Sequence, residues 1–107
     1  MTDPIYFTIA GTNYAYHSDF MKPGMQVKLV KEPDNQADHE AIRVEMQGLG
    51  KVGYVANSPW TVLGESVSAG RLYDKIGETA MGEILYVLDK GVLCVLKQTA
   101  DTDETIV

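Results

Sequence analysis

Apolar residues recur at every second position in several short stretches of the chain, the period of a strand with one buried face. In MQVKLVK, residues 25–31, Met25, Val27 and Leu29 alternate with Gln26 and Lys28, which predicts a half-buried strand stopped by Pro33. AIRVEM repeats the pattern, with Ile42, Val44 and Met46 inward and Arg43 and Glu45 outward. QGLG then supplies a glycine turn and KVGYV the return, so residues 41–55 are predicted to form a β-hairpin. PIYFTIA, residues 4–10, is β-branched and aromatic and ends at Gly11, which predicts a first strand. NYAYH is a shorter candidate for a second, and Pro23 and Gly24 mark the turn before the third. GEILYVLDKGVLCVLKQ reads as two more strands joined at DKG.

The period changes in NSPWTVLGESVSAG. Ser58 is a good N-cap, Pro59 suits the first helical position, Trp60, Leu63 and Val67 fall at helical spacing, and Gly70 can close the C-terminus. One helix is predicted there despite the cost of Gly64. About six short strands with one or two short helices predict a mostly β fold: a small, partly closed antiparallel barrel with a helix plugging an open end.

At 107 residues and 45% hydrophobic, the chain is long enough for one compact domain and too short for two. Residues 1–99 are assigned to that domain, and ADTDETIV, 100–107, is expected to be an acidic, disordered tail. No apolar run approaches the roughly 20 residues of a membrane span, and MTDPIYF lacks a basic leader, so a cytoplasmic protein without membrane contact is expected. Cys94 stands alone inside GVLCVL, which excludes an internal disulfide and predicts a small buried side chain. The net charge of −6 argues against a nucleic-acid partner. Residues 1–99, however, carry nine basic and twelve acidic groups, a milder −3.

The densest polar stretch is KEPDNQADHEAIRV, residues 31–44. Pro33 ends the ladder, and the backbone groups after it need other partners. Asp34 and Asn35 can form side-chain turns, and Asp38 can accept amide hydrogens from residues 39–41, so the plain reading is a self-bracing loop. A calcium loop at Asp34, Gln36 and Asp38 lacks the required glycine, since His39 occupies its place. His17, His39 and Cys94 are too few and too dispersed for zinc. No metal and no cofactor are expected. Asp34 and Asp38 resemble a catalytic carboxylate pair only as many solvated loop acids do, and no enzyme is expected.

The order IAGTNYAY, VKLVKEPDNQADHEAIRV, KVGYVA and the segment from Pro59 resembles the HIRAN domain, here as a stand-alone bacterial member. That resemblance spans roughly residues 5–70 and implies a modified oligonucleotide-binding (OB) barrel that captures the 3′ end of single-stranded DNA in DNA repair or processing. By it, Asn35 and Asp38 match the pair that hydrogen-bonds the terminal 3′ hydroxyl, Tyr14 matches a base-stacking tyrosine, and Tyr54 lines the hairpin. A partly buried barrel tyrosine remains an equal reading of Tyr54. Three departures remove charge or stacking surface: Asn13 replaces an arginine, Ala37 an aromatic residue, and Ala56 and Asn57 stand where lysine would serve phosphates. The nucleic-acid site is therefore expected at Asn13, Tyr14, Asn35, Asp38, Tyr54 and Asn57, with Lys28, Lys31, Arg43 and Lys51 as the basic groups near it. The alternative is a protein- or small-ligand-interaction module that keeps the barrel and has lost DNA.

Overall fold

Among the described residues, six antiparallel strands close on themselves: β1 (Tyr6–Ala10), β2 (Gln26–Lys31), β3 (Ile42–Met46), β4 (Gly50–Val55), β5 (Thr79–Leu88) and β6 (Gly91–Thr99). Their order around the barrel is β1-β4-β3-β2-β5-β6, and among the described residues a short helix, α1 (Ala69–Tyr73), lies between β4 and β5 in the chain. The structure is a computed structural model and describes residues 4–10, 21–58, 61–88 and 91–99. The predicted strand NYAYH and the tail 100–107 lie outside the described residues.

The period-2 pattern fills the interior. Phe7 and Ile9 from β1, Val27 and Leu29 from β2, Ile42 and Val44 from β3, Val52, Ile84, Val92 and Cys94 are sealed from water. Leu72 of α1 joins the same cluster, so the helix contributes to the core. Burial pushes the Cys94 thiol up to about 12, which leaves it a packing group and not a nucleophile at neutral pH. The hairpin predicted over 41–55 is present as β3 and β4, with Arg43 opposite Tyr54 and therefore on the same outer face. The seam that closes the barrel pairs Ile9 with Val55 and Ala10 with Tyr54. A Cβ on Gly53 would lie 2.8 Å from the Ala10 carbonyl oxygen, so glycine is needed for the two strands to approach.

Two expectations are corrected. The helix is not at 59–70: residues 61–66 form turns, α1 starts at Ala69, and Pro59 and Trp60 lie outside the described residues. Gly64 adopts φ +53, which a right-handed helix cannot continue. Contacts to β1 pin the segment instead, with the Leu63 amide donating to Thr8 Oγ1 at 3.1 Å and the Val67 amide to the Tyr6 carbonyl at 2.8 Å. The cap moves to Ser68, whose Oγ accepts from the Arg71 amide, and Gly70 becomes the second helical residue. Met25, predicted inward, is 40% exposed because it precedes β2 in the turn at Gly24.

Candidate functional site

The connection from β2 to β3 is braced by its own short side chains. The Glu32 amide donates to the Ala41 carbonyl at 2.9 Å, extending the ladder one step past β2. Asn35 Oδ1 then accepts from the amides of Ala37 (2.9 Å) and Asp38 (3.0 Å). Asp38 Oδ1 accepts from the Glu40 amide at 2.9 Å, one of the contacts predicted for it. Each such bond adds roughly 1 kcal/mol net, and together they fix where Asn35 and Asp38 point.

A second layer holds this loop to the barrel. Glu32 Oε1 accepts from Asn35 Nδ2 at 3.0 Å and from the Tyr54 hydroxyl at 3.1 Å. Glu32 Oε2 accepts from Arg43 Nη1 at 2.9 Å, and Arg43 Nε donates to Glu45 Oε2 at 2.7 Å. Burial alone would raise the Glu32 carboxyl, but the hydrogen bonds from Asn35, Tyr54 and Arg43 and the Arg43 charge outweigh it and hold the pKa below its ordinary value. Burial would likewise lower Arg43, yet its bonds to Glu32 and Glu45 raise it. Asn57 Nδ2 donates to Asp38 Oδ2 at 2.9 Å, and its Oδ1 accepts from the Gly70 amide at 2.8 Å, tying the loop to α1.

Asn35, Asp38, Tyr54 and Asn57 thus belong to one hydrogen-bonded network, while Asn13 and Tyr14 lie outside the described residues. Glu32, which links Asn35 to Tyr54, is the member that sequence reasoning missed. The available signal was a carboxylate one step beyond β2, facing Arg43 on the paired strand.

Beside the network lies a cleft of about 240 Å³ lined by Asn35, Ala37, Asp38, Ala41, Tyr54 and Val55. It is smaller than the roughly 300–1,000 Å³ of a pocket for a drug-sized ligand. The network also sets the polarity of the groups at its edge. Because two backbone amides hold Asn35 Oδ1, the amide nitrogen faces Glu32, which takes one of its two hydrogens and leaves the other. Asp38 uses one lone pair on each oxygen and retains acceptor capacity on both. One face of the Tyr54 ring carries Lys51, whose ammonium lies 5.1 Å from the centroid.

The HIRAN domain model matches residues 3–70, which include the entire loop, the hairpin and the cleft. The chain belongs to the HIRAN family. A crystal structure of a protein from Lactobacillus plantarum is similar at 25% identity, with 90% of this chain and 98% of that one covered and a TM-score of 0.54. That likeness reaches beyond the HIRAN match and takes in strands of the last third. Comparison with curated proteins finds no match.

The departures from the HIRAN pattern fall unevenly on this geometry. Ala37, where the resemblance implies an aromatic residue, is exposed and lines the cleft. Asn57 is a brace between Asp38 and α1. Ala56 is buried and donates its amide to the Thr8 carbonyl at 2.8 Å, so its side chain belongs to the core and not to the cleft. Among the described residues, no three His, Cys, Asp or Glu side chains converge as a metal-binding group.

Proposed function

We propose that this HIRAN domain is a non-catalytic module that binds the free 3′ end of single-stranded DNA, with the terminal sugar seated between Asn35, Asp38 and Tyr54. The observation that carries the reading is the fixed donor and acceptor pair at the cleft. A hydroxyl both donates and accepts, so it can give its hydrogen to Asp38 and receive one from Asn35. A terminal phosphate offers an anion to a carboxylate and is repelled. The surroundings sharpen this preference: Asp38 lines the cleft, Glu32 is bonded to the lining residues Asn35 and Tyr54, Asp34 and Glu40 are their neighbours in the loop, and Arg43 is already paired with Glu32 and Glu45. Such a rim weakens general attraction to the phosphate backbone while favouring an uncharged end.

Fluorescence titration of short oligonucleotides with a 3′ hydroxyl or a 3′ phosphate, at about 50 mM salt where attraction is least screened, tests the reading. The hydroxyl form is expected to bind at least tenfold more tightly, and Asp38→Ala to remove that difference in a protein that remains folded. Absence of binding by both oligonucleotides contradicts the reading. The same carboxylate-rich rim favours a second reading, a protein- or small-ligand-interaction module, and that outcome would select it.

A further inference from the structure

Lys31, next to Glu32 in the chain, differs from the other paired cations of the barrel. Arg43 meets Glu32 and Glu45, and Lys97 meets Glu83 at 3.4 Å. The Lys31 ammonium is held by neutral groups instead. It donates to the Ile76 carbonyl at 2.8 Å and lies 4.3 Å from the centroid of the Tyr73 ring. Among the described residues it has no carboxylate within ion-pairing distance. An ammonium has three donors. The carbonyl takes one and the ring face is a weak electrostatic partner for another, so a half-buried charge keeps donor capacity in a fixed place.

That charge lines a second cleft, of about 500 Å³, formed by Val30, Lys31, Pro33, Tyr73, Glu78 and Thr79. Glu78 is exposed, and its contact with Lys31 is through the backbone, its carbonyl accepting the Lys31 amide at 3.0 Å. Pro33 borders this cleft and Asn35 borders the first. Two residues of chain reach at most about 7 Å, so the two clefts are neighbours across one bend of the loop.

We propose that the Lys31 cleft is an anion site that takes the backbone phosphate nearest the 3′ end of a single strand. The proposal rests on the end-binding reading above and deepens it: the terminal sugar enters the Asn35 cleft, and its 5′ phosphate crosses Pro33 to meet Lys31. Tyr73 and Pro33 supply apolar walls. The site also supplies a cation for phosphate that no carboxylate among the described residues neutralises, whereas Arg43 is paired with Glu32 and Glu45. A brace between β2 and α1 would use the same carbonyl and ring contacts, so the test must read charge and not stability.

Binding of a 3′-hydroxyl oligonucleotide is measured over a series of salt concentrations for the full chain and for Lys31→Met and Lys31→Arg, with folding checked by thermal unfolding. One phosphate contact contributes about 0.7 to the slope of log K against log salt for a single strand. Lys31→Met is expected to lose that increment and Lys31→Arg to retain it. An uncharged methylphosphonate at the linkage nearest the 3′ end should weaken the unaltered protein and leave Lys31→Met unaffected. An unchanged slope in folded Lys31→Met overturns the proposal and leaves Lys31 a brace. Should no oligonucleotide bind, the end-binding reading fails by itself, and titration with inorganic phosphate decides the site. Resonances of Tyr73 that move in the unaltered protein but not in Lys31→Met sustain an anion site; no movement in either overturns it.

Discussion

Along β5 and β6 the side chains that matter face inward. Ile84, Val92 and Cys94 are sealed in the core, and the paired backbone runs from Leu88 opposite Gly91 to Ala80 opposite Thr99. The outer face adds the partly exposed Glu83–Lys97 pair, of a kind worth little in water. Between β2 and β3 the arrangement is reversed. Glu32, Asn35 and Asp38 satisfy the backbone and one another, and Ala41 is the apolar group they cover at the cleft. The β5–β6 pair holds its shape by excluding water, the loop by matching donors to acceptors. Only the second kind of construction leaves oriented polar valences at the surface, and that is why the chemistry collects there.

If this division holds, damage to the two regions has different signatures. Ile84→Ala empties a sealed position and is expected to cost about 2–5 kcal/mol of stability in denaturant unfolding, with end selectivity unchanged in the fraction that stays folded. Glu32→Ala removes the shared acceptor of Asn35, Tyr54 and Arg43. Its expected cost is smaller, about 1–3 kcal/mol, but it should abolish the preference for a 3′ hydroxyl, because Asn35 loses the partner that orients it. Equal loss of selectivity in both variants would erase the distinction between the regions.

Ala37→Tyr sharpens the comparison from the other side, by adding a wall to the cleft without touching the core. Stacking is worth about 1–3 kcal/mol per base, so oligonucleotide affinity should rise by about fivefold or more with thermal stability nearly unchanged. The smallest effect is in acid. The Glu32 carboxyl titrates below its ordinary value of 4.5 in the folded protein. Its contribution is therefore complete above that value and is lost as pH falls through the lower folded pKa. Glu32→Gln should flatten this acid limb of stability, read from unfolding midpoints between neutral pH and about pH 3, while Glu83→Gln on the exposed outer face should leave it in place.

The barrel was legible because alternation needs no partner to be recognised: Val27 and Leu29, Ile42 and Val44 announce their buried face in the sequence itself. Asn35 and Asp38 were legible as braces for the same reason, since their partners lie two or three residues away. Glu32 was not. Its partners Arg43 and Tyr54 are 11 and 22 residues distant, and only the closed order β2-β3-β4 brings them together. The helix was misplaced by the same kind of distant contact, because Thr8 and Tyr6 hold residues 63–67 against β1 where spacing favoured a turn of helix. Family resemblance named Asn35 and Asp38 as readers of a hydroxyl, but the direction in which Asn35 presents its amide came only from the two backbone hydrogens on its oxygen.

That direction is also what a single experiment can read. In a nitrogen-15 spectrum of the full chain, the side-chain amide of Asn35 reports its free hydrogen. On titration with a short 3′-hydroxyl oligonucleotide the account predicts that this resonance shifts and saturates together with the backbone amides of Asp38 and Glu40, and that the 3′-phosphate form leaves all three in place. Binding of the hydroxyl form with the Asn35 side chain unmoved, or equal shifts from both forms, would contradict it.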